Sequence, residues 1–166
     1  PWFRYRDHFL TAERIDAGVA FWTEHRARLA EIAGTTGVAP HVIVGILGVE
    51  TFFGRITGRY RVLDALATLG FDYPPRGEYF RGELEQFLLL ARRNGIDPLA
   101  VRGSYAGAMG LPQFMPRSYL SYAVDGDLDG RSDLWGSVDD VMSSVANYLA
   151  KHGWQAGAPI VLPATL

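Results

Sequence analysis

Apolar residues recur at helical spacing, three and four apart, along most of the chain. Between Thr11 and about Ala33, the positions Ile15, Val19, Trp22, Leu29 and Ile32 read as one core-facing helix, closed by Gly34-Thr-Thr-Gly37. Thr11 and Arg14 do not make a capping box, so the start of that helix carries no clear signal. A second helix follows Pro40. A third, short and amphipathic, is carried by Val62, Leu63, Leu66 and Leu69, and it ends in the rigid loop Phe71-Asp-Tyr-Pro-Pro-Arg-Gly77. A long stripe of Phe80, Leu84, Phe87, Leu88 and Ala91 runs to Asn94-Gly95. The last stripe, Val138, Val141, Met142, Val145, Tyr148 and Leu149, starts at a capping-box-like Ser137…Asp140 and stops at Gly153. No long alternating run and no Asn-Gly hairpin is present, so the chain is expected to be mainly α with little or no sheet. Residues 1–10, aromatic and basic, could line a sugar groove but read better as a strap over the core.

The stretch from Val38 to Gly54 is the most informative. Pro40 suits a first helical turn, Gly54 suits a stop, and Ile43, Ile46 and Leu47 share a face. Glu50, seven residues after Ile43, falls on that same face in the last turn. A carboxyl group on an apolar stripe loses hydration, which raises its pKa, and a carboxylic acid kept protonated is what glycoside cleavage needs as a general acid. The plainer alternative is that Glu50 caps the helix or pairs with Arg55 or Arg59. Gly45 and Gly48 weigh against it, because helix-interior glycines cost stability and point to something packed close to the backbone.

Composition narrows the classes. The chain has 166 residues, nearly half of them hydrophobic, enough for one domain with a real core. Sixteen basic against eighteen acidic residues give −2, which argues against a general nucleic-acid surface. With no cysteine there is neither disulfide nor thiolate metal site. His8, His25, His41 and His152 show no metal-ligand spacing. No apolar run reaches transmembrane length. The chain opens at Pro1 rather than Met, which fits removal of an upstream segment.

Two further stretches carry chemistry. Gly103-Ser-Tyr-Ala-Gly-Ala-Met-Gly-Leu-Pro-Gln-Phe-Met-Pro116 fails both nucleotide-binding templates. Its small residues either let backbone approach a ligand, with Ser104, Tyr105 and Gln113 as the polar groups, or make a tight corner between helices. Asp125, Asp127 and Asp129 at loop positions one, three and five, with Gly130 at six, match the start of an EF-hand calcium loop. Arg131 can offer its carbonyl. Position twelve is Gly136 rather than Glu, so Asp139 or Asp140 closes the site only in a longer loop; otherwise the stretch is an acidic turn.

The motifs taken together resemble the catalytic domain of the bacterial membrane-bound lytic transglycosylase B family. They are Gly48-Val-Glu50-Thr with Gly54, Leu63-Asp-Ala-Leu-Ala-Thr-Leu69, Glu78-Tyr-Phe80 with Gly82-Glu-Leu-Glu85, Gly107-Ala-Met-Gly110 through Gln113-Phe-Met-Pro116, and Ser144-Val-Ala-Asn-Tyr148 before His152-Gly-Trp154. In order they cover roughly residues 35–158, and the Glu plus Gly-Ala-Met-Gly pattern extends to goose-type lysozymes. The resemblance implies a single lysozyme-like domain over 1–166, built around a glycan cleft, with an EF-hand-like loop at 125–139. It implies Glu50 as the one catalytic acid/base, Ser104 and Gln113 as groups bonding substrate, and Tyr79, Tyr105 and Tyr148 as cleft aromatics. It also implies structural Ca²⁺ on Asp125, Asp127, Asp129, the Arg131 carbonyl and Asp139, and no cofactor for the chemistry. Family members continue past the apolar tail Ala158-Pro-Ile-Val-Leu-Pro-Ala-Thr-Leu166 with a segment that adds tyrosines to the cleft. The sequence is therefore expected to lack a C-terminal segment.

The expected activity is cleavage of the MurNAc–GlcNAc β-1,4 bond of peptidoglycan in the periplasm of a bacterial cell envelope. The expected form is a monomer, with any membrane attachment through a removed N-terminal anchor. Asp64 and Asp72 lie near Glu50 in sequence but in no obviously apolar setting, and the single acid/base that the resemblance implies fits an intramolecular nucleophile, the sugar's own C6 hydroxyl. A hydrolytic muramidase and a non-catalytic glycan-binding module are the competing readings.

Overall fold

The computed structural model describes residues 2–161. Among these, eight α-helices run in order: α1 Trp2–Phe9, α2 Ala12–Glu24, α3 Arg26–Thr36, α4 Pro40–Thr51, α5 Val62–Phe71, α6 Gly77–Asn94, α7 Pro116–Tyr122 and α8 Val138–Lys151. A 3₁₀ turn at Pro74–Arg76 leads into α6, where the two prolines forbid a longer helix. The sheet is two residues wide: β1 Tyr60–Arg61 lies antiparallel to β2 Arg102–Gly103, with Tyr60 opposite Gly103. The mainly α expectation therefore holds.

The core lies between α3, α4, α5, α6 and α8, filled by Leu29, Ile43, Leu47, Leu66, Phe87, Leu90, Met109 and Met142. Here α5 packs along α6, α3 on α8, and α2 on α4. Pro40 opens α4 as predicted. Ser137 opens α8, its Oγ accepting the Asp140 N–H at 3.2 Å, while the Asp140 carboxylate turns away into the 125–133 loop instead of completing a capping box.

Several predicted core positions are surface. The helix expected from Thr11 to Ala33 breaks at His25, and α2 has no fully buried residue: Ile15 and Val19 are 53% and 61% exposed, while Trp22, with Phe21, packs half-buried against the core. Thr11 does cap α2, its Oγ1 accepting the Arg14 N–H at 3.3 Å. In α6 the buried face is Phe80, Glu83, Phe87, Leu90 and Ala91, so Leu88 points outward. Residues 2–9 form a helix without a buried side chain rather than a strap. Residues 162–166 of the apolar tail lie outside the described residues.

Glu83 is the unexpected member of the core. Its carboxylate is 2% exposed and accepts the Arg117 N–H at 3.0 Å, placing a negative charge at the start of α7, with Arg117 Nε 3.5 Å away. Glu83→Ala removes that acceptor and leaves a void. It is expected to cost about 3 kcal/mol, or roughly 6–12 °C in Tm for a chain of this size. A thermal melt followed by circular dichroism measures the loss; an unchanged Tm would mean that α7 does not depend on the buried carboxylate.

Candidate active site

Helix α4 buries Ile43, Val44, Leu47 and Thr51. Glu50 therefore stands on the flank of that face, exposed at its edge, rather than in the middle of the buried stripe. Enough of the carboxyl is covered that lost hydration raises its pKa above the ordinary carboxylate value. Among the described residues no side-chain hydrogen bond or ion pair reaches it. Arg55 instead pairs with Glu13 at 3.1 Å, and Arg59 lies over the Tyr60 ring at 5.5 Å. Asp64 is taken by Arg61 at 2.7 Å, in solvent.

The chain leaves α4 through an unusual turn. Phe52 and Phe53 both have positive φ, 52° and 56°, a conformation that bulky residues hold only where their surroundings enforce it. Phe53 lies in a slot made by two glycines and stacks on Phe21, 5.2 Å between centroids. A Cβ on Gly48 would come within 2.9 Å of the Phe53 ring and one on Gly18 within 3.3 Å. So Gly48 has a packing reason, whereas nothing lies close to Gly45.

Thr51 ties α4 to the glycine-rich stretch. Its Oγ1 donates to the Leu111 carbonyl at 2.9 Å and accepts the Gly54 N–H at 3.1 Å. Of the two readings of that stretch, the tight corner accounts for its glycines. A Cβ on Gly103 would meet the Ala108 carbonyl oxygen at 2.1 Å, and one on Gly107 would meet Leu66 at 2.4 Å. The wall is packed against its own chain and presents side chains, not bare backbone. Ser104 Oγ accepts the Ala106 and Ala108 N–H groups at 3.2 and 3.0 Å, which leaves its proton to donate. Gln113 has φ 53° and donates Nε2 to the Thr57 and Gly110 carbonyls, leaving its Oε1 as an acceptor. Tyr148 packs on Phe114 and stacks on His152. Thr51, the neighbour of Glu50, is thus bonded to the stretch that carries Ser104 and Gln113, and Tyr148 packs on Phe114 of the same stretch. Tyr105 is 74% exposed at the corner's tip, and Tyr79 lies beneath the Arg76 guanidinium at 4.6 Å with burial raising its hydroxyl pKa. No hydrogen bond or ring contact among the described residues ties either tyrosine to the end of α4. A cavity of about 990 Å³ opens elsewhere, lined among others by Leu90, Arg93, Tyr119, Arg131 and Trp135; Glu50 is not on its walls.

Of the expected carboxylates, Asp125 and Asp127 converge, while neither Asp129 nor Asp139 belongs to the converging group. Carboxylate oxygens of Asp125, Asp127 and Asp140 lie within 4.8 Å of one another. Asp139 does not join them; its Oδ1 is 3.8 Å from Arg28 Nε. Successive residues on a helix point about 100° apart, so only one of the adjacent aspartates can face the loop, and that one is Asp140. Its oxygens accept the Gly126 and Asp133 N–H groups, each at 2.6 Å. Asp129 binds the loop's own backbone, accepting the Arg131 N–H at 2.8 Å. Arg28 clamps the loop from α3 through the Gly126 carbonyl at 2.5 Å, and the Tyr119 hydroxyl donates to Ser132 O, burial pushing its pKa up to about 12. Three converging oxygen donors of this kind suit a hard divalent cation. Sequence reasoning missed Arg28, whose partner lies 98 residues away, and also Arg14 and Glu83.

Comparison with known proteins adds three relationships. The chain is 52% identical over 163 residues to the membrane-bound lytic murein transglycosylase B of Escherichia coli K12, matching 98% of this chain and 45% of that protein. It superposes with a TM-score of 0.92 on the E. coli lytic transglycosylase Slt35 in complex with calcium, at 52% identity, over 95% of this chain and 50% of Slt35. It superposes with a TM-score of 0.90 on SltB3 from Pseudomonas aeruginosa in complex with NAG-anhNAM-pentapeptide, at 36% identity, over 96% of this chain and 42% of SltB3. The chain spans about half the length of these relatives. The family model described as Transglycosylase SLT domain matches residues 1–166 throughout, and the chain belongs to that family.

Proposed function

We propose that this chain is a lytic murein transglycosylase that cleaves the MurNAc–GlcNAc β-1,4 bond of peptidoglycan with Glu50 as its one acid/base. The observation that carries the reading is Glu50 itself: a carboxyl with a raised pKa and no cationic partner among the described residues, next to Thr51, which is bonded to the glycine-rich stretch. Such a group is protonated at higher pH than an ordinary carboxylate and can give its proton to the glycosidic oxygen. As the C1–O bond breaks, the muramoyl C6 hydroxyl attacks C1, and the Glu50 carboxylate takes the hydroxyl proton. One C–O bond is lost, one is formed, the proton returns to Glu50, and no water is consumed. A hydroxyl already held on the substrate acts at high effective concentration, which removes the need for a second carboxylate to activate water. Ser104 and Gln113 offer a donor and an acceptor to the sugar, and Tyr148, Tyr79 and Tyr105 offer ring faces.

The relatives that match are murein transglycosylases, one of them captured with an anhydro-muramoyl ligand, and this supports peptidoglycan as substrate and the bacterial envelope, on its periplasmic side, as the setting. The calcium complex of Slt35 supports Ca²⁺ as a structural ion, held by Asp125, Asp127, Asp129 and the Arg131 carbonyl, with Asp140 in place of Asp139.

The product tests the chemistry. Digestion of purified peptidoglycan in ¹⁸O water is expected to give unlabelled 1,6-anhydromuramoyl ends. A hydrolase would give reducing ends about 20 Da heavier, the mass of one ¹⁸O water, with label beyond that explained by hemiacetal exchange. Labelled reducing ends would make the chain a muramidase, and no new ends from folded protein would make it a glycan-binding module.

A further inference from the structure

We infer that Arg14 is a positioning residue for Glu50, holding the end of α4 in the geometry that proton transfer requires. The inference rests on the reading of Glu50 as acid/base. Helix α4 ends without donors for its last carbonyls, as every α-helix does. The Leu47 carbonyl is taken by Phe53 N–H at 3.0 Å and the Thr51 carbonyl by Ile56 N–H at 2.9 Å. The Gly48 carbonyl, two residues before Glu50, is taken by Arg14 Nη1 at 2.8 Å. This is a charge-assisted bond from a different helix, partly buried, and stronger than a neutral one.

The same guanidinium lies over the Phe52 ring at 4.5 Å, two residues after Glu50. Arg55 stacks on that ring as well, at 4.3 Å, and is itself held by Glu13, the neighbour of Arg14 on α2. The first turn of α2 therefore grips the residues on either side of Glu50. Thr11 fixes that turn by capping it at the Arg14 N–H. This grip explains how Phe52 keeps its positive φ, which would otherwise relax. With Thr51 bonded to Leu111 on the other side, the backbone of Glu50 is pinned from two directions while its carboxyl stays unpaired. A shift of about 1 Å at a reacting group can cost 10²-fold in rate. The α2 face that bears Ile15 and Val19 is exposed, so its first turn is attached through the bond of Arg14 to Gly48 on α4 and of Glu13 to Arg55 in the turn that follows α4.

The test compares Arg14→Met, which keeps an apolar stem over Phe52, with Arg14→Lys, which keeps a donor but loses the planar guanidinium. Arg14→Met is expected to lower kcat on soluble glycan fragments by about 10–100-fold, as does a small misplacement of a catalytic group, with KM within about twofold of the parent. Arg14→Lys should fall between the two, and ethylguanidinium should restore part of the rate of Arg14→Met. Amide exchange at Val49–Phe53 should quicken in both variants, a readout that needs no catalysis. Unchanged kcat with unchanged exchange would overturn the inference. So would a rate loss that follows global Tm and is not restored by ethylguanidinium. Should Glu50→Gln retain activity, the acid/base reading fails instead, and the exchange data would still report whether Arg14 holds the turn.

Discussion

Replacing Glu50 by Gln is expected to abolish turnover, lowering kcat on peptidoglycan by at least about 10³-fold, in the upper range for loss of a general acid. The change keeps shape and hydrogen-bonding capacity but removes the transferable proton. The same variant makes a stability prediction of defined sign. Burial raises the Glu50 pKa in the fold, so the folded chain holds this proton more tightly than the unfolded chain. That contribution to stability is fully present below the unfolded pKa and is lost as pH rises through the folded value. Glu50→Gln should therefore melt at or above the parent Tm at neutral pH, and the difference should move against the variant as pH falls below the carboxylate range. Parent activity should decline on the alkaline side as Glu50 ionises, because the acid form is the one required. Paired measurements of rate and Tm across pH decide the matter: a variant that keeps its rate and loses stability at neutral pH would make Glu50 a structural partner.

This prediction was available from the sequence because helical periodicity is a strong signal where a helix faces a packed core. Pro40, Ile43 and Leu47 place Glu50 in the last turn of α4 whatever the tertiary detail. The same logic identified α5 and α8. It failed for α2, where Ile15 and Val19 have core-like spacing but face outward, because periodicity reports which residues share a face and not what covers it. It failed also at His25, where no Gly or Pro marks the break between α2 and α3. The turn after Glu50 was illegible for another reason. Positive φ is a glycine signal, and here Phe52 and Phe53 adopt it under tertiary constraint from Arg14, Arg55 and Phe21. In the 103–116 stretch, small residues left two readings open, and only the close approach of Ala108 to Gly103, of Leu66 to Gly107 and of the Leu134 carbonyl to Gly110 reveals that they seat protein. Sequence reports that something approaches a glycine closely; it does not report what.

The second large effect is expected at the acidic loop, where the choice between adjacent aspartates makes a sharp test. Ca²⁺ bound only by the folded chain stabilises it by mass action, about 2.7 kcal/mol at a free concentration one hundred times Kd. For a chain of this size that is roughly 5–11 °C in Tm. Asp140→Asn should remove most of that increment, because Asp140 is the α8 carboxylate that converges with Asp125 and Asp127. It should also lower the Tm without calcium, since the Asp140 oxygens anchor the Gly126 and Asp133 amides and the side chain is 1% exposed. Asp139→Asn faces Arg28 and should leave the calcium increment nearly intact. The increment, not the absolute Tm, is the discriminating quantity, because it cancels the structural cost that either substitution carries with or without the ion. Melting curves in excess chelator and in millimolar Ca²⁺ give it for each variant. An increment lost in Asp139→Asn and kept in Asp140→Asn would restore Asp139 as the ligand, and no increment in the parent would reduce the loop to an acidic turn held by its own amides.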